Sequence, residues 1–506
     1  MKLLSPEELA QLLPAATHAF AGPVPTQTVS SDEFMPRAQT EKQREVEVRI
    51  KDLGDRLAKR QGVSRRRFFQ SAAGMAAAYL VMNEVYGPLF AVSAAEAAEP
   101  EMAQARADAL KDQFIMDVHT HHLHEPLPED IFKIFLGLRQ HTREAGWNPA
   151  LPNRPGTHAD LLYDNYIKEM FLDSDTKVSL ISSAPADDAN NYFLSNEQMV
   201  ETRDRTNKAA GSRRMLAHFM ITPGQPGLLD AMDKAIATNK PDSWKGYTIG
   251  DPLITLREHR ISKMPWRMDD EKVAYPVYEK IAKSGVPIVC VHKGLFPPFA
   301  EKAFPDLRKH ADVSDVGKAA KDWPQITFVI YHSGYRYAAG GSPDDALAQF
   351  NRTGRIDWVS DLAEIPHKYN VSNVYADMGQ SFAEMIVAQP RLAAAYLGIL
   401  VKGMGSGRVV WGTDALWTGS PQWQIEGLRR LEIPADMQKK FGFAPLGPAA
   451  GSVKTAIFGD NSARIYGFNK HVELTRPDRL AQVKDEYRRR GPEPTNLRYG
   501  YIRRSA

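Results

Sequence analysis

Eight short apolar, β-branched runs recur between residues 114 and 411, and this recurrence constrains the fold more than any other feature of the chain. They cover 114–118, 178–182, 215–221, 244–249, 286–291, 326–331, 371–376 and 409–411. Runs of this length and composition read as buried strands. Between them lie stretches with apolar residues at helical spacing: 159–171, 192–209, 273–284, 358–369 and 382–400. Eight strands alternating with helices over this length predict an α/β fold, a (β/α)8 TIM barrel built as one domain. A doubly wound open sheet would use the same elements. However, no Gly-rich phosphate turn follows any of these strands, so none opens a nucleotide site.

A barrel gathers the C-terminal ends of its strands on one face, and chemistry is done there. The first strand runs into Asp117-Val118-His119-Thr120-His121-His122-Leu123-His124, so four histidines fall within residues 119–124. Residues i and i+2 on a strand point the same way, so His119 and His121 can hold one metal ion with neutral imidazoles. His292 follows the fifth strand, His332 the sixth and Asp414 the eighth. Taken singly, a strand-end His is more often a hydrogen-bonded structural residue, and a strand-end Asp is commonly a helix cap. Five metal-competent residues at the same end of four strands are hard to explain as packing.

The rest of the chain reads as appendages to this barrel. Hydrophobic residues make up 43% of the 506 positions and charged residues 25%, enough apolar material for a full core. A net charge of +3 gives no ground for a nucleic-acid partner. The single cysteine, Cys290, lies in an apolar run and reads as a small buried hydrophobe. Residues 1–63 form an N-terminal extension, in which Val46, Ile50, Leu53 and Leu57 mark an amphipathic surface helix. Within 64–97, Ser64-Arg65-Arg66-Arg67-Phe68-Phe69-Gln70 resembles the twin-arginine export signal, matching it at Ser64, Arg65, Arg66 and Phe68. The weakly apolar run 71–82 is too short and alanine-rich for a stable membrane span, and Ala95-Glu96-Ala97 offers a small-x-small cleavage pattern. The expectation is passage through the twin-arginine translocase and a mature chain beginning near Ala98, in the periplasm or outside the cell. A basic helix start followed by a buried helix is the plainer reading of the same stretch, with a cytoplasmic protein as its consequence. The barrel domain spans 98–467 and a basic tail 468–506, the latter a solvated or subunit-packing segment that leaves a homo-oligomer open.

Several motifs together resemble the amidohydrolase superfamily, and within it the amidohydrolase-related branch that includes aminocarboxymuconate-semialdehyde and resorcylate decarboxylases. They are Asp117-Val118-His119-Thr120-His121, Val291-His292-Lys293-Gly294, Tyr331-His332-Ser333-Gly334, Trp411-Gly412-Thr413-Asp414 and the closing stretch from Ile457 to Gly467. The resemblance runs in order from about 113 to 467. It implies that His119, His121, His292 and Asp414 ligate one divalent ion, with Asp414 also counted among the catalytic residues, and that His332 is the acid/base. Three imidazoles and a carboxylate suit zinc first, with manganese or iron(II) as alternatives. Lys245 lies on strand four, where two-metal members of the superfamily carry a bridging carboxylated lysine. The plainer reading is an ammonium that meets a substrate carboxylate.

Around these residues, Phe296 could wall the pocket, Arg336 could clamp a carboxylate, and Trp417 follows Asp414. Asp377 ends strand seven, and the connection 124–160 reads as a lid. Three functions fit: a hydrolase using metal-activated water on a small organic substrate, a non-oxidative decarboxylase of an unsaturated or aromatic acid, and a non-catalytic exported binding protein. A cation facing the metal would favour the acid substrate.

Overall fold

The computed structural model describes residues 11–14, 22–27, 38–125, 127, 158–188, 191–252, 254, 260–296, 298–336, 343–415, 419–470, 474, 478–490 and 501–503. All eight expected strands form. They are β1 Met116–Thr120, β2 Val178–Ile181, β3 Met215–Met220, β4 Ser243–Tyr247, β5 Ile288–His292, β6 Thr327–Tyr331, β7 Val374–Asp377 and β8 Val409–Val410. They pair in chain order, each parallel to the next. The last returns to the first. Val118 N–H donates to Trp411 O (3.0 Å), Asp414 N–H to His119 O (2.8 Å) and His121 N–H to Ala415 O (2.6 Å). These bonds close the ring, and the fold is a (β/α)8 TIM barrel.

The barrel interior is filled from strand positions of one phase, including Leu180, Leu216, Cys290, Val329 and Tyr331, with Tyr466 and Phe468 packed against the same cluster. Helices outside the ring cover strand positions of the other phase, such as Val289, Val291, Phe328 and Ile330. They include α6 Asn196–Ala210, α7 Leu228–Thr238, α8 Tyr275–Lys283, α9 Val316–Asp322, α10 Val359–Tyr369, α11 Gly379–Ala388, α12 Pro390–Met404 and α13 Gln422–Arg430. Local chemistry sets their ends. α6 opens with a Ser195/Gln198 capping box and stops at Gly211, whose φ of 74° suits only glycine well. The stretch expected as one helix over 382–400 is instead α11 and α12. Pro390 opens α12, because a proline inside a helix would remove one hydrogen bond and clash with the preceding turn.

Among the described residues, five helices precede the barrel: α1 Glu41–Arg60, α2 Arg65–Phe69, α3 Ala72–Tyr86, α4 Ala94–Ala98 and α5 Pro100–Leu110. α1 is the amphipathic helix expected, started by a Thr40/Gln43 capping box and burying Val46, Ile50 and Leu57. The twin-arginine-like stretch forms α2, capped by Ser64, and the alanine-rich run forms α3, capped by Ser71. Their buried side chains belong to one hydrophobic cluster with those of α10, α12 and α13. α14 Arg479–Arg489 lies in the basic tail, and Leu12–Pro14 pairs antiparallel with Tyr501–Arg503. Among the described residues, no helix is long and apolar enough to cross a membrane.

Candidate metal centre

β1 carries His119 within the strand and His121 just beyond it, where its pairing with β2 shifts register between Asp117 and Thr120. Such irregularities re-aim side chains and are common beside active sites. Asp414 faces them from the connection after β8, in a left-handed backbone conformation (φ 57°). Its Oδ1 lies 3.1 Å from His121 Nε2 and 3.4 Å from His119 Nε2.

The far sides of the two rings fix their tautomers. His121 Nδ1 lies 3.0 Å from Ser182 O, a carbonyl that can only accept, so the proton sits on Nδ1. His119 Nδ1 lies 3.0 Å from Asp377 Oδ2, and the ionised carboxylate calls for the same tautomer; burial pushes this carboxyl well above its ordinary range, which a cation at the centre would offset. Both Nε2 lone pairs then point at the Asp414 carboxylate. His119 Nε2 is buried and has no hydrogen-bond partner among the described residues. Acceptors converging with no proton between them repel, and a cation relieves that repulsion. The nitrogen and oxygen donors suit a divalent ion of the zinc, manganese or iron class. Burial, with Lys245 and His332 nearby, holds His119 well below the ordinary imidazole range, so it is neutral and able to ligate.

Two carboxylates brace this arrangement from behind. Asp117 Oδ1 accepts from the N–H groups of His119 (3.1 Å) and Thr413 (3.1 Å), and its Oδ2 accepts from Thr413 Oγ1 (2.5 Å). It thus joins β1 to the connection that bears Asp414. Asp377, the last residue of β7, accepts from His332 N–H (3.2 Å) through the same Oδ2 that meets His119. Tyr331 lies under His119, ring centroids 3.9 Å apart, and its hydroxyl donates to Val118 O (2.6 Å).

The structure brings most of the expected residues to one rim. His332 follows β6 with its ring 4.8 Å from that of His119 and 4.7 Å from that of His292. His292 is the last residue of β5 and stacks on Tyr247 at 4.4 Å. Ligand atoms of His119, His121 and Asp414 all lie within 4.8 Å of one another, and so do those of His119, His332 and Asp377. Burial and neighbouring cationic groups push both His292 and His332 well below the ordinary range, so each presents a neutral ring.

The groups proposed to shape the pocket fare differently. Lys245 is fully buried and pairs in register with Cys290, whereas Tyr247 pairs with His292, so Lys245 lies one layer below the rim. Its ammonium sits 3.2 Å from the centre of the Tyr331 ring, and burial lowers its pKa to about 7. Arg336 is engaged by Glu301 (3.0 Å to each oxygen) and Asp357 (2.8 Å). Phe296 is buried beside His292 in the chain, while Trp417 and most of the 124–160 connection lie outside the described residues. His122 belongs to the scaffold, with its ring bonded to Thr202 Oγ1 (2.9 Å) and Leu123 O (2.8 Å). Sequence reasoning named Asp377, at the end of strand seven, only among the groups that could shape the pocket, with no part in holding the metal or its ligands. The available signal was its place at a strand end, on the same rim as the histidines.

A family model described as amidohydrolase matches residues 116–468, more than half of the chain. No curated protein matches. Among solved structures the chain is similar to 5-carboxyvanillate decarboxylase from Sphingomonas paucimobilis, at 14% identity and TM-score 0.40, covering 71% of this chain and 100% of that one. It is similar to 2,6-dihydroxybenzoate decarboxylase from Rhizobium at 12% identity and TM-score 0.37, covering 70% and 99%. A candidate 2-pyrone-4,6-dicarboxylic acid hydrolase from Pseudomonas putida is similar at 12% identity and TM-score 0.36, covering 71% and 98%.

Proposed function

The chain belongs to the amidohydrolase family, and from that premise we propose that it is a metal-dependent hydrolase acting on a small organic substrate. The observation that carries the reading is the convergence of His119 Nε2, His121 Nε2 and Asp414 Oδ1, with the neutral ring of His332 beside them. These three residues would hold one divalent ion, zinc first and manganese or iron as alternatives, with His292 on the same rim as the fourth donor. When bound, such an ion supplies Lewis acidity and brings the pKa of water towards neutrality. His332 Nδ1 is buried without a hydrogen-bond partner among the described residues, where a Cβ on Gly379 would collide with it, so Nε2 is the nitrogen left to meet substrate. A neutral imidazole there accepts a proton from the attacking group and returns it to the leaving group.

The second reading, non-oxidative decarboxylation of an unsaturated or aromatic acid, calls for a cation at the donors to hold the carboxylate. Of the two cations weighed for that role, Arg336 is held between Glu301 and Asp357, whereas Lys245 lies beneath the donors, its Nζ against the Tyr331 ring and close enough to act on His119 and His332. The engagement of Arg336 favours hydrolysis, and Lys245 keeps the acid substrate as the second reading. Elemental analysis together with parallel assays of hydrolysis and carbon dioxide release, on a panel of small acids, lactones and amides, tests the proposal. We expect about one divalent ion per chain, lost in His119→Ala and Asp414→Ala, and turnover by hydrolysis. Carbon dioxide release without hydrolysis would install the second reading, and a metal-free, inactive chain would sink both.

A further inference from the structure

We propose that Asp377 is the positioning residue of the centre, a single carboxylate that fixes the ring of His119 and the backbone of His332 at once. The inference rests on reading His119 as a metal ligand. Oδ2 of Asp377 meets His119 Nδ1 at 3.0 Å and accepts from His332 N–H at 3.2 Å, so one atom ties β7 to β1 and to the end of β6. Its backbone is tied to the same place, because Ser333 Oγ donates to Asp377 O (2.7 Å) and pairs with the Tyr396 hydroxyl (2.7 Å). His332 and Ser333 both have positive φ, 58° and 49°, a conformation that side-chain-bearing residues keep only when their surroundings impose it. The bond to Oδ2 is one of the contacts that impose it.

Room for this carboxylate is built into the chain. A Cβ on Gly412 would collide with Asp377 Oδ1, and a Cβ on Gly379, itself at φ 47°, would press on Oδ2 from the other side. Two glycines on neighbouring strand ends thus leave a slot of carboxylate size. Packing alone would not require a fully buried acid there, with Oδ1 lacking any hydrogen-bond partner among the described residues. Holding a ligating imidazole by its other nitrogen fixes the tautomer and orientation that ligation needs.

The test is zinc titration by calorimetry into chelator-stripped protein, for wild type, Asp377→Asn, His119→Ala and the double variant, with circular dichroism to check folding. Asp377→Asn is expected to lose on the order of 10–100-fold in zinc affinity, and to cost nothing further in the His119→Ala background. A folded Asp377→Asn protein with unchanged affinity, or a penalty that survives in the double variant, would overturn the proposal. If His119→Ala itself binds zinc normally, the ligand reading has failed and the positioning role falls with it. Should Asp377→Asn not fold, the imidazole nitrogen-15 spectrum of wild-type protein decides. The His119 proton belongs on Nδ1, and a proton on Nε2 refutes the assignment.

A separate observation carries a second inference: the helices over residues 65–98 are a permanent part of the folded enzyme. Glu96, the middle residue of the candidate cleavage pattern, is 8% exposed and takes both terminal nitrogens of Arg430 on α13 (2.5 and 3.2 Å). Tyr79 donates to Trp423 O (2.5 Å), Ala91 N–H to Arg430 O (2.8 Å) and Glu432 N–H to Leu89 O (2.9 Å), stitching the segment to both ends of α13. Cutting after Ala97 would bare the apolar face that α3 covers and leave Arg430 without Glu96. Intact-mass analysis of protein made in cells from the full-length gene is expected to retain residues 64–97, including when Arg65 and Arg66 are both changed to Lys. A stable, folded product beginning near Ala98 would overturn this.

Discussion

His332 combines two unusual properties, a left-handed backbone and a buried imidazole nitrogen with no hydrogen-bond partner among the described residues. Strained residues of this kind cost on the order of 1–3 kcal/mol each and cluster at functional sites. If His332 moves protons while others hold the ion, His332→Ala should keep its metal and its fold yet lose on the order of 10²–10⁴ in turnover. Metal content and single-turnover rates on the same sample check this. Loss of metal equal to that of His119→Ala would make His332 a ligand instead. At this scale the sequence revealed the residues whose chemistry is unusual at a strand end, His119, His121, His292, His332 and Asp414. It could not reveal pairings made across the fold. Arg336 is visibly a cation in the sequence, but nothing there says that Glu301 and Asp357 take it up. Asp377 looked like any strand-end acid until β7 was laid two strands from β1, across the closure of the ring.

Among elements, the strands were legible because continuous apolar runs mark burial on both sides, the condition of a parallel ring. Their ends were less so. The apolar run at 114–118 becomes a strand at Met116–Thr120, and the run at 286–291 becomes Ile288–His292. Pairing continues past the last apolar residue, since the polar residues of the rim are held by neighbouring backbone and by one another. For that reason His119 and His292 lie inside strands rather than after them. The helix α3 was ambiguous for a different cause. An alanine-rich run after paired arginines has the composition of an export signal and of a buried helix alike. The composition gives no sign of contacts made across the fold, such as that of Tyr79 with Trp423, 344 positions later. Asn83 belongs to the same lesson. Its side chain accepts from Leu89 N–H and Phe90 N–H and donates to Phe90 O, a turn built for a fold.

Across the whole molecule, the two arginines that close α13 join parts far apart in the chain. Arg429 donates to Asp175 (2.7 Å) before β2, to Glu426 (2.8 Å) and to Leu110 O (2.9 Å) at the end of α5. Arg430 reaches Glu96 and Glu426, and Arg488 of α14 approaches Asp175 at 3.4 Å. Burial alone would raise the pKa of Asp175 and Glu426, but the surrounding arginines outweigh it and hold both carboxyls below their ordinary values. The sign of the linkage follows. An unfolded Asp or Glu titrates at about 3.9 or 4.3, so the stability these two groups supply is fully present above that range. It is lost as pH falls towards their depressed folded values. The contacts of the helices before the barrel and of the tail helix α14 should therefore weaken below about pH 4, whereas the buried neutral imidazoles of the barrel, His119, His292 and His332, cost stability from about pH 6.5 downward. Hydrogen exchange on metal-free protein, read segment by segment from neutral pH down to about pH 3, is expected to show a further fall in protection in 72–112 and 478–490 that sets in only below about pH 4. Asp175→Asn should flatten that pH dependence while lowering protection near neutrality, because a neutral amide cannot balance the buried Arg429 charge. Protection that falls at one pH throughout the chain, with Asp175→Asn tracking wild type, would show that these arginines do not hold the parts together.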